Sequence, residues 1–291
     1  SGGLYGMRGK RQENFSDFFV KRIKSLAVPY VFFSFTAGII QLIAAFERMI
    51  SVREEAVRLV FVFVILKGFG PIWFLPVMFL AEICFYFSVK GNKIVHGLTA
   101  AAGAAAVYLA PAAAEYIAAV SAGKASWAGG YIGVLLKTVV GTSTMMIGYY
   151  ILPWLDRVKK RLIWAVMGCL CLAATIGIVR IYNMDFNGLD FGSIPVLYFV
   201  DCIFGTILII MCCRLADSFF SLDLLSYLGK NTLIIMCTHT EWYLVPMICA
   251  GWAQIAGQAA LVGERYYGEL IIKLLFLVAM EVGIIELLHK Y

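Results

Sequence analysis

The chain has 291 residues, of which 62% are hydrophobic and 14% charged, with a mean hydropathy of +0.87. Soluble domains carry about a quarter charged residues, so this composition excludes a soluble globular protein and identifies a polytopic membrane protein. The net charge of +6 comes without a basic surface interleaved with aromatics outside the apolar runs, which argues against nucleic acid as a partner.

The chain opens at Ser1 on "SGGLYGMRGKRQENF", with no initiator Met and no basic-then-apolar signal peptide, and is expected to begin within a longer protein. Apolar runs of about 20 residues, enough for a helix to cross a bilayer core of about 30 Å, then recur to the C-terminus. Eight are expected to span: 27–46, 72–89, 94–111, 131–152, 162–181, 194–215, 232–252 and 270–287. If the N-terminal segment is cytoplasmic, connections on its side hold 15 Lys and Arg, and those on the other side 7. That bias sets both termini in the cytoplasm. The expected fold is all-α, a transmembrane helix bundle forming one integral-membrane domain over residues 1–291.

Ahead of the first span lie Arg8, Lys10, Arg11, Lys21, Arg22 and Lys24. Such a cluster marks the cytoplasmic side. It is also suited to grip the phosphates of an anionic co-substrate such as coenzyme A. The stretch "LVFVFVILKGFG" (59–70) is too short to cross and is expected to be interfacial or re-entrant. Two glycines and Pro71 then bend the chain, and Trp73 and Phe74 open the second span. Trp73 is either an interfacial anchor or a ring on which a sugar could stack. The Ala-rich stretch 99–120 lets neighbouring backbones approach closely, which predicts a central helix ending near Pro111 and Glu115. The eight cysteines lie in apolar stretches without metal-ligand spacing and read as small buried hydrophobes, so no metal is expected.

Ionisable residues inside a span are costly and are candidates for function. They are Glu82, His96, Lys137, Arg180, Asp201, Arg214, His239, Glu241, Lys273 and Glu281. Arg180, Arg214 and Lys273 lie near span ends, where snorkelling explains them. Glu82, Lys137, Asp201 and Glu241 are candidates to line a polar passage. In "LGKNTLIIMCTHTEW" (228–242), Gly229 reads as a helix breaker and Asn231 with Thr232 as the cap of the next helix. His239 then lies roughly 12 Å along that helix, on a face with Ile235, Met236 and Tyr243, while Glu241 points elsewhere. His239 is either an interhelical hydrogen-bonding group or a base that positions substrate.

Four stretches in order resemble the acyltransferase-3 family of integral-membrane acyltransferases, in its fucose 4-O-acetylase-like branch. They are "SGGLYG…FFVKRIKSLAVPYVFFS", Trp73-Phe74-Leu75, Gly229-Lys230-Asn231-Thr232-Leu233 with His239, and "YNMDFNGLDFGSIPVLYFVDCIFG". The resemblance implies a ten-helix bundle in a bacterial plasma membrane that takes acetyl from cytoplasmic acetyl-CoA. The acceptor it implies is a hydroxyl of a cell-surface glycan or lipid-linked sugar. Lys21, Arg22 and Lys24 would hold the co-substrate. Trp73, Glu82, Asp185, Asp201 and Glu241 would meet the acceptor, and His239 would support catalysis. Two departures stand out. The family's catalytic histidine on its first helix, and the arginine before it, are absent. The resemblance places both upstream of Ser1, as expected of a chain lacking its first helix and most of its second. The Arg-x-x-Arg pattern has Ser25 at its second basic position.

Two other readings use the same residues. A transporter or flippase for a sugar or lipid-linked intermediate would use the intramembrane polar groups as a path, but repeats and paired broken helices are not evident. A structural membrane component would leave His239 and the basic cluster unexplained together.

Overall fold

The computed structural model describes residues 14–47, 51–121, 127–181, 184–239, 242, 244–245, 248–249, 251 and 265–290. Among these residues the chain is helical, and the sole bridge between extended segments pairs Asp185 with Asp190. Six helical segments are long and apolar enough to cross a membrane: Phe15–Glu47, Gly70–Lys90, Lys93–Ile117, Trp127–Asp156, Arg161–Ile181 and Leu197–Asp217. They carry the first six expected spans. The seventh expected span is described only in part. The eighth lies on a helix whose apolar stretch contains Lys273, Glu281 and Glu286, and it is not among the six.

The chain divides into two compact units, 1–29 with 75–221, and 30–74 with 222–291. The first contains α1 (Phe15–Arg22), a π-helical turn (Ile23–Ala27), α4 (Phe74–Lys90), α5 (Lys93–Ser121), α6 (Trp127–Asp156), α7 (Arg161–Ile181) and α8 (Leu197–Asp217). Lipid offers little hydrophobic drive for helices to associate, so close contacts depend on small side chains and hydrogen bonds. Gly103 of α5 lies so close to α6 that a Cβ there would collide with the Ser143 side chain. The Ser143 hydroxyl in turn donates to the Thr99 carbonyl at 2.5 Å. Thr99 also donates to Ser88 Oγ at 3.1 Å, tying α5 to α4. Ala106, Val107 and Ala110 complete the contact face of α5.

The outer face of α5, with Leu98, Tyr108 and Leu109, is exposed, so one side of this helix packs where a central position was expected. Nor does α5 stop near Pro111. It runs on to Ser121. A proline removes one backbone hydrogen bond, and membrane helices tolerate that loss. Further along, Met211 and Ile207 of α8 pack on Leu155 of α6 and Cys171 of α7. Arg214 secures the same end, donating to the Leu155 carbonyl at 2.7 Å and pairing with Asp156 at 3.0 Å. Arg214 is therefore a specific tie between helices, beyond a snorkelling cation.

The second unit contains α2 (Val28–Glu47), α3 (Val52–Val64), a 3-10 turn (Gly70–Trp73), α9 (Asp223–Lys230), α10 (Thr232–Thr238) and α11 (Arg265–Lys290). α3 begins earlier than its apolar run suggests, because the Ser51 hydroxyl accepts the Glu54 amide and caps it. On α3, Arg58 pairs with Glu55, holds that carboxyl below its usual range, and reaches Gln41 of α2 at 2.9 Å. Tyr30 of α2 stacks on Phe63 and donates to its carbonyl at 2.8 Å. Gly68, at φ +65°, turns the chain back beneath Trp73, whose backbone nitrogen lies where a Cβ would have to fit. Any side chain at position 68 would collide there, which is why glycine occupies it.

Candidate active site

The N-terminal stretch from Ser1 lies outside the described residues up to position 13, and with it Arg8, Lys10 and Arg11. The site is built from the residues that follow. The basic cluster is described from Lys21 onward. Lys21 and Lys24 are exposed. Arg22 turns inward and forms an ion pair with Glu82 of α4, whose side chain is 6% exposed. A carboxylate this deep in an apolar helix needs a cation, and Arg22 supplies it. The guanidinium lies over the Phe18 ring, 5.0 Å from its centroid. Phe18 stacks on Tyr86 at 4.6 Å, and Lys90 sits 4.3 Å from the centroid of the Tyr86 ring. α1 therefore lies along the C-terminal half of α4. Lys90 joins the basic end through this packing, which its position in sequence did not reveal.

At the opposite end of the first unit, residues 184–192, between α7 and α8, fold into a closed loop. Asp185 and Asp190 exchange backbone hydrogen bonds at 2.8 and 2.9 Å, and the Asp185 carboxylate accepts the Asn187 amide at 2.9 Å. Leu189 and Phe191 from this loop are buried against Val107, Val140 and Phe199 of α5, α6 and α8. Lys137 of α6, 8% exposed, donates to Asn187 Oδ1 at 2.9 Å. The loop is thus fastened to an ammonium group held inside a membrane helix. Asp201, near the start of α8, is half-buried, and its Oδ1 has no hydrogen-bond partner among the described residues. Of the groups expected to line a passage, Glu82 faces Arg22, Lys137 faces Asn187, and Glu241 lies outside the described residues.

In the second unit, Trp73 is half-buried in the 3-10 turn, edge-on to Phe74 with centroids 5.9 Å apart. The turn packs against α10. The helix boundaries here differ from the sequence reading. Gly229 lies within α9 instead of ending it. Asn231 does not cap α10: its side-chain amide donates back to the Tyr227 carbonyl at 3.0 Å. Thr232 likewise donates backward, to the Gly229 carbonyl at 2.8 Å.

His239 Nδ1 lies 2.7 Å from the Ile235 carbonyl of its own helix, so its ring is fixed within α10's last turn instead of bridging to another helix through that nitrogen. Its neighbour Thr238 is fully buried and donates to Glu281 of α11 at 2.7 Å. Glu281 is among the intramembrane charges picked out by sequence, but its partner lies 43 residues away and no local pattern links them. The second unit also has a groove of about 290 Å³ between α2 and α3, lined by Val31, Phe35, Phe63 and Phe69, with Ser34 as its polar member. Its lining suits hydrocarbon and offers little to a sugar.

No curated protein and no solved structure matches the chain. A family model described as an acyltransferase domain matches residues 1–282, across both compact units. A multi-pass helical chain with buried charges inside its helices is the setting that such a domain provides. The chain belongs to the acyltransferase-3 family and is a membrane acyltransferase.

Proposed function

We propose that the protein is an O-acetyltransferase of the fucose 4-O-acetylase-like branch. It moves acetyl from cytoplasmic acetyl-CoA to a hydroxyl of a cell-surface glycan or lipid-linked sugar at the bacterial plasma membrane. The family match over residues 1–282 carries the reading at the level of acyl transfer. The basic segment of the first unit supports a phosphate-bearing donor: Lys21 and Lys24 are exposed there, flanking Arg22. With that segment facing the cytoplasm, Lys21, Arg22 and Lys24 hold the coenzyme. Arg22 also anchors the segment through Glu82.

The acceptor is assigned to the end of the first unit where Asp185 and Asp201 lie; Trp73 and Glu241 are the further residues the resemblance gives it, and Glu82, named with them, is taken up by Arg22. His239 supports the proton transfer. Acyl transfer from a thioester to an alcohol requires a base at the hydroxyl and donors toward the oxyanion that develops.

The test uses membranes carrying the protein, acetyl-CoA labelled in the acetyl group, and envelope glycans as acceptors. Label in an alkali-labile ester on glycan is expected, and its absence with every envelope fraction would overturn the reading. Replacing Lys21 and Lys24 together with Ala is expected to raise KM for acetyl-CoA on the order of tenfold, the loss of one charged hydrogen bond, with kcat little changed.

A further inference from the structure

The junction of α6 and α7 carries Arg157, Lys159, Lys160 and Arg161, four cations in five positions, and all four are exposed. Like charges this close repel one another, so the segment gains from an anion. Asp156, the carboxylate beside them in sequence, is already met by Arg214 at 3.0 Å and by Lys159 at 4.0 Å. A second carboxylate at this end, Asp217, closes α8. With both counted, the cations remain in excess, and Arg157, Lys160 and Arg161 have charge to place.

Cations that only direct insertion need no fixed geometry. This segment has one. Arg214 of α8 donates to the Leu155 carbonyl at 2.7 Å and to the Val158 carbonyl at 3.2 Å. The Trp164 indole of α7 donates to the same Val158 carbonyl at 3.0 Å. Three helices thus hold the backbone that bears the cations, so that backbone has little freedom left to lose on binding.

The surroundings are apolar. Trp154 near the end of α6, Leu162 at the start of α7, and Phe219 and Phe220 just past α8 are all exposed. The Arg161 guanidinium lies over the Phe219 ring, 5.9 Å from its centroid, so cation and aromatic meet at one place. A site for a water-soluble anion has no use for uncovered apolar side chains around it. The boundary of a bilayer does: hydrocarbon covers the apolar groups while lipid phosphates meet the cations beside them.

We propose that this segment is a binding site for an anionic phospholipid in the leaflet at this end of the first unit. Arg157, Lys160 and Arg161 meet its headgroup phosphate, and its acyl chains run along the exposed apolar side chains at the ends of α7 and α8. The lipid joins the α6–α7 junction to the end of α8 from outside, as Arg214 joins them from within. The inference does not depend on the identity of the acyl donor or acceptor.

The test uses the full chain in nanodiscs of phosphatidylcholine with a minor share of phosphatidylglycerol. Lipids that stay bound after release from the disc are counted by native mass spectrometry. The wild-type chain is expected to retain phosphatidylglycerol over phosphatidylcholine, and equal retention overturns the proposal. Each cation at a membrane surface contributes about fivefold to such binding, so Arg157→Gln, Lys160→Gln and Arg161→Gln together should weaken it on the order of 10²-fold. Undiminished retention in that variant sinks the site. So does an equal loss when Lys21→Gln and Lys24→Gln are made instead, because the preference would then belong to any exposed cation. Should the triple variant fail to insert, Lys160→Gln alone changes a single charge and is required to lower retention about fivefold.

Coenzyme A added in solution is the last arm. It carries phosphates but no chains that enter a bilayer, and it is expected to leave the bound phosphatidylglycerol in place. Displacement of the lipid by coenzyme A would give these cations to a soluble phosphate ligand and overturn the lipid assignment.

Discussion

Arg22 and Glu82 illustrate how a single pair joins segments far apart in sequence. Glu82 is nearly enclosed, whereas the Arg22 side chain is 28% exposed. Arg22→Ala leaves the carboxylate without its guanidinium. We expect a loss of about 3 kcal/mol, the low end for breaking a buried pair, because Arg22 keeps some contact with its surroundings. Thermal unfolding in detergent measures it. The double change Arg22→Met with Glu82→Leu should recover most of that loss, since well-packed apolar groups replace buried pairs at little cost. At this scale the sequence picks out the expensive residues, Glu82, Lys137 and Glu281, by charge in an apolar run. It cannot name Arg22, Asn187 and Thr238 as their partners. Arg22 stands out only as part of the basic cluster, Asn187 and Thr238 are ordinary polar residues, and helix packing alone brings each to its partner.

Helices are legible where their apolar runs are long, and less so where short-range hydrogen bonds set the ends. The first six spans follow from run length. α3 starts at Val52 because Ser51 caps it, ahead of the run that suggested it. α9 passes through Gly229 because Asn231 and Thr232 bond backward to α9's own carbonyls and leave no cap for α10. A capping motif read from residue types does not reveal which way the side chain turns.

Between elements, Gly103 lets α5 pack directly against α6. Gly103→Ala puts a methyl on the Ser143 side chain, and the two helices must part or Ser143 must rotate and lose its bond to Thr99. The expected cost is about 1–3 kcal/mol. Adding Ser143→Gly removes the obstacle and should restore part of the melting temperature.

Across the whole molecule, the contacts inside the first unit agree with a chain that crosses back and forth. α1 lies along the C-terminal half of α4. His96, near the start of α5, meets Tyr150, near the end of α6. Arg214, near the end of α8, grips the residues that link α6 to α7. All of these belong to one end of the unit, and the loop 184–192 belongs to the other. Lys159 and Ser193 are both exposed, at opposite ends. In a background whose eight cysteines are replaced, Lys159→Cys is expected to react with an impermeant maleimide only from the cytoplasmic side, and Ser193→Cys only from outside. Labelling of both from the same side would overturn the two-sided arrangement. The distribution of Lys and Arg assigns the cytoplasmic side to the end with Lys159, which is what this labelling tests. The division into two compact units is not legible in the sequence, because their segments alternate along the chain, 1–29 and 75–221 in one, 30–74 and 222–291 in the other.

The contact between Lys137 and Asn187 joins residues 50 positions apart, and this has a bearing on biogenesis. α6 is threaded into the bilayer while Asn187 has yet to be translated. At about 5–20 residues per second, Lys137 enters the membrane roughly 3–10 s before its acceptor emerges from the ribosome. During that interval the insertion machinery must accommodate the ammonium group without Asn187, and the intermediate is exposed to quality-control proteases. The contact with loop 184–192 can therefore form only after α6 has been synthesised and inserted.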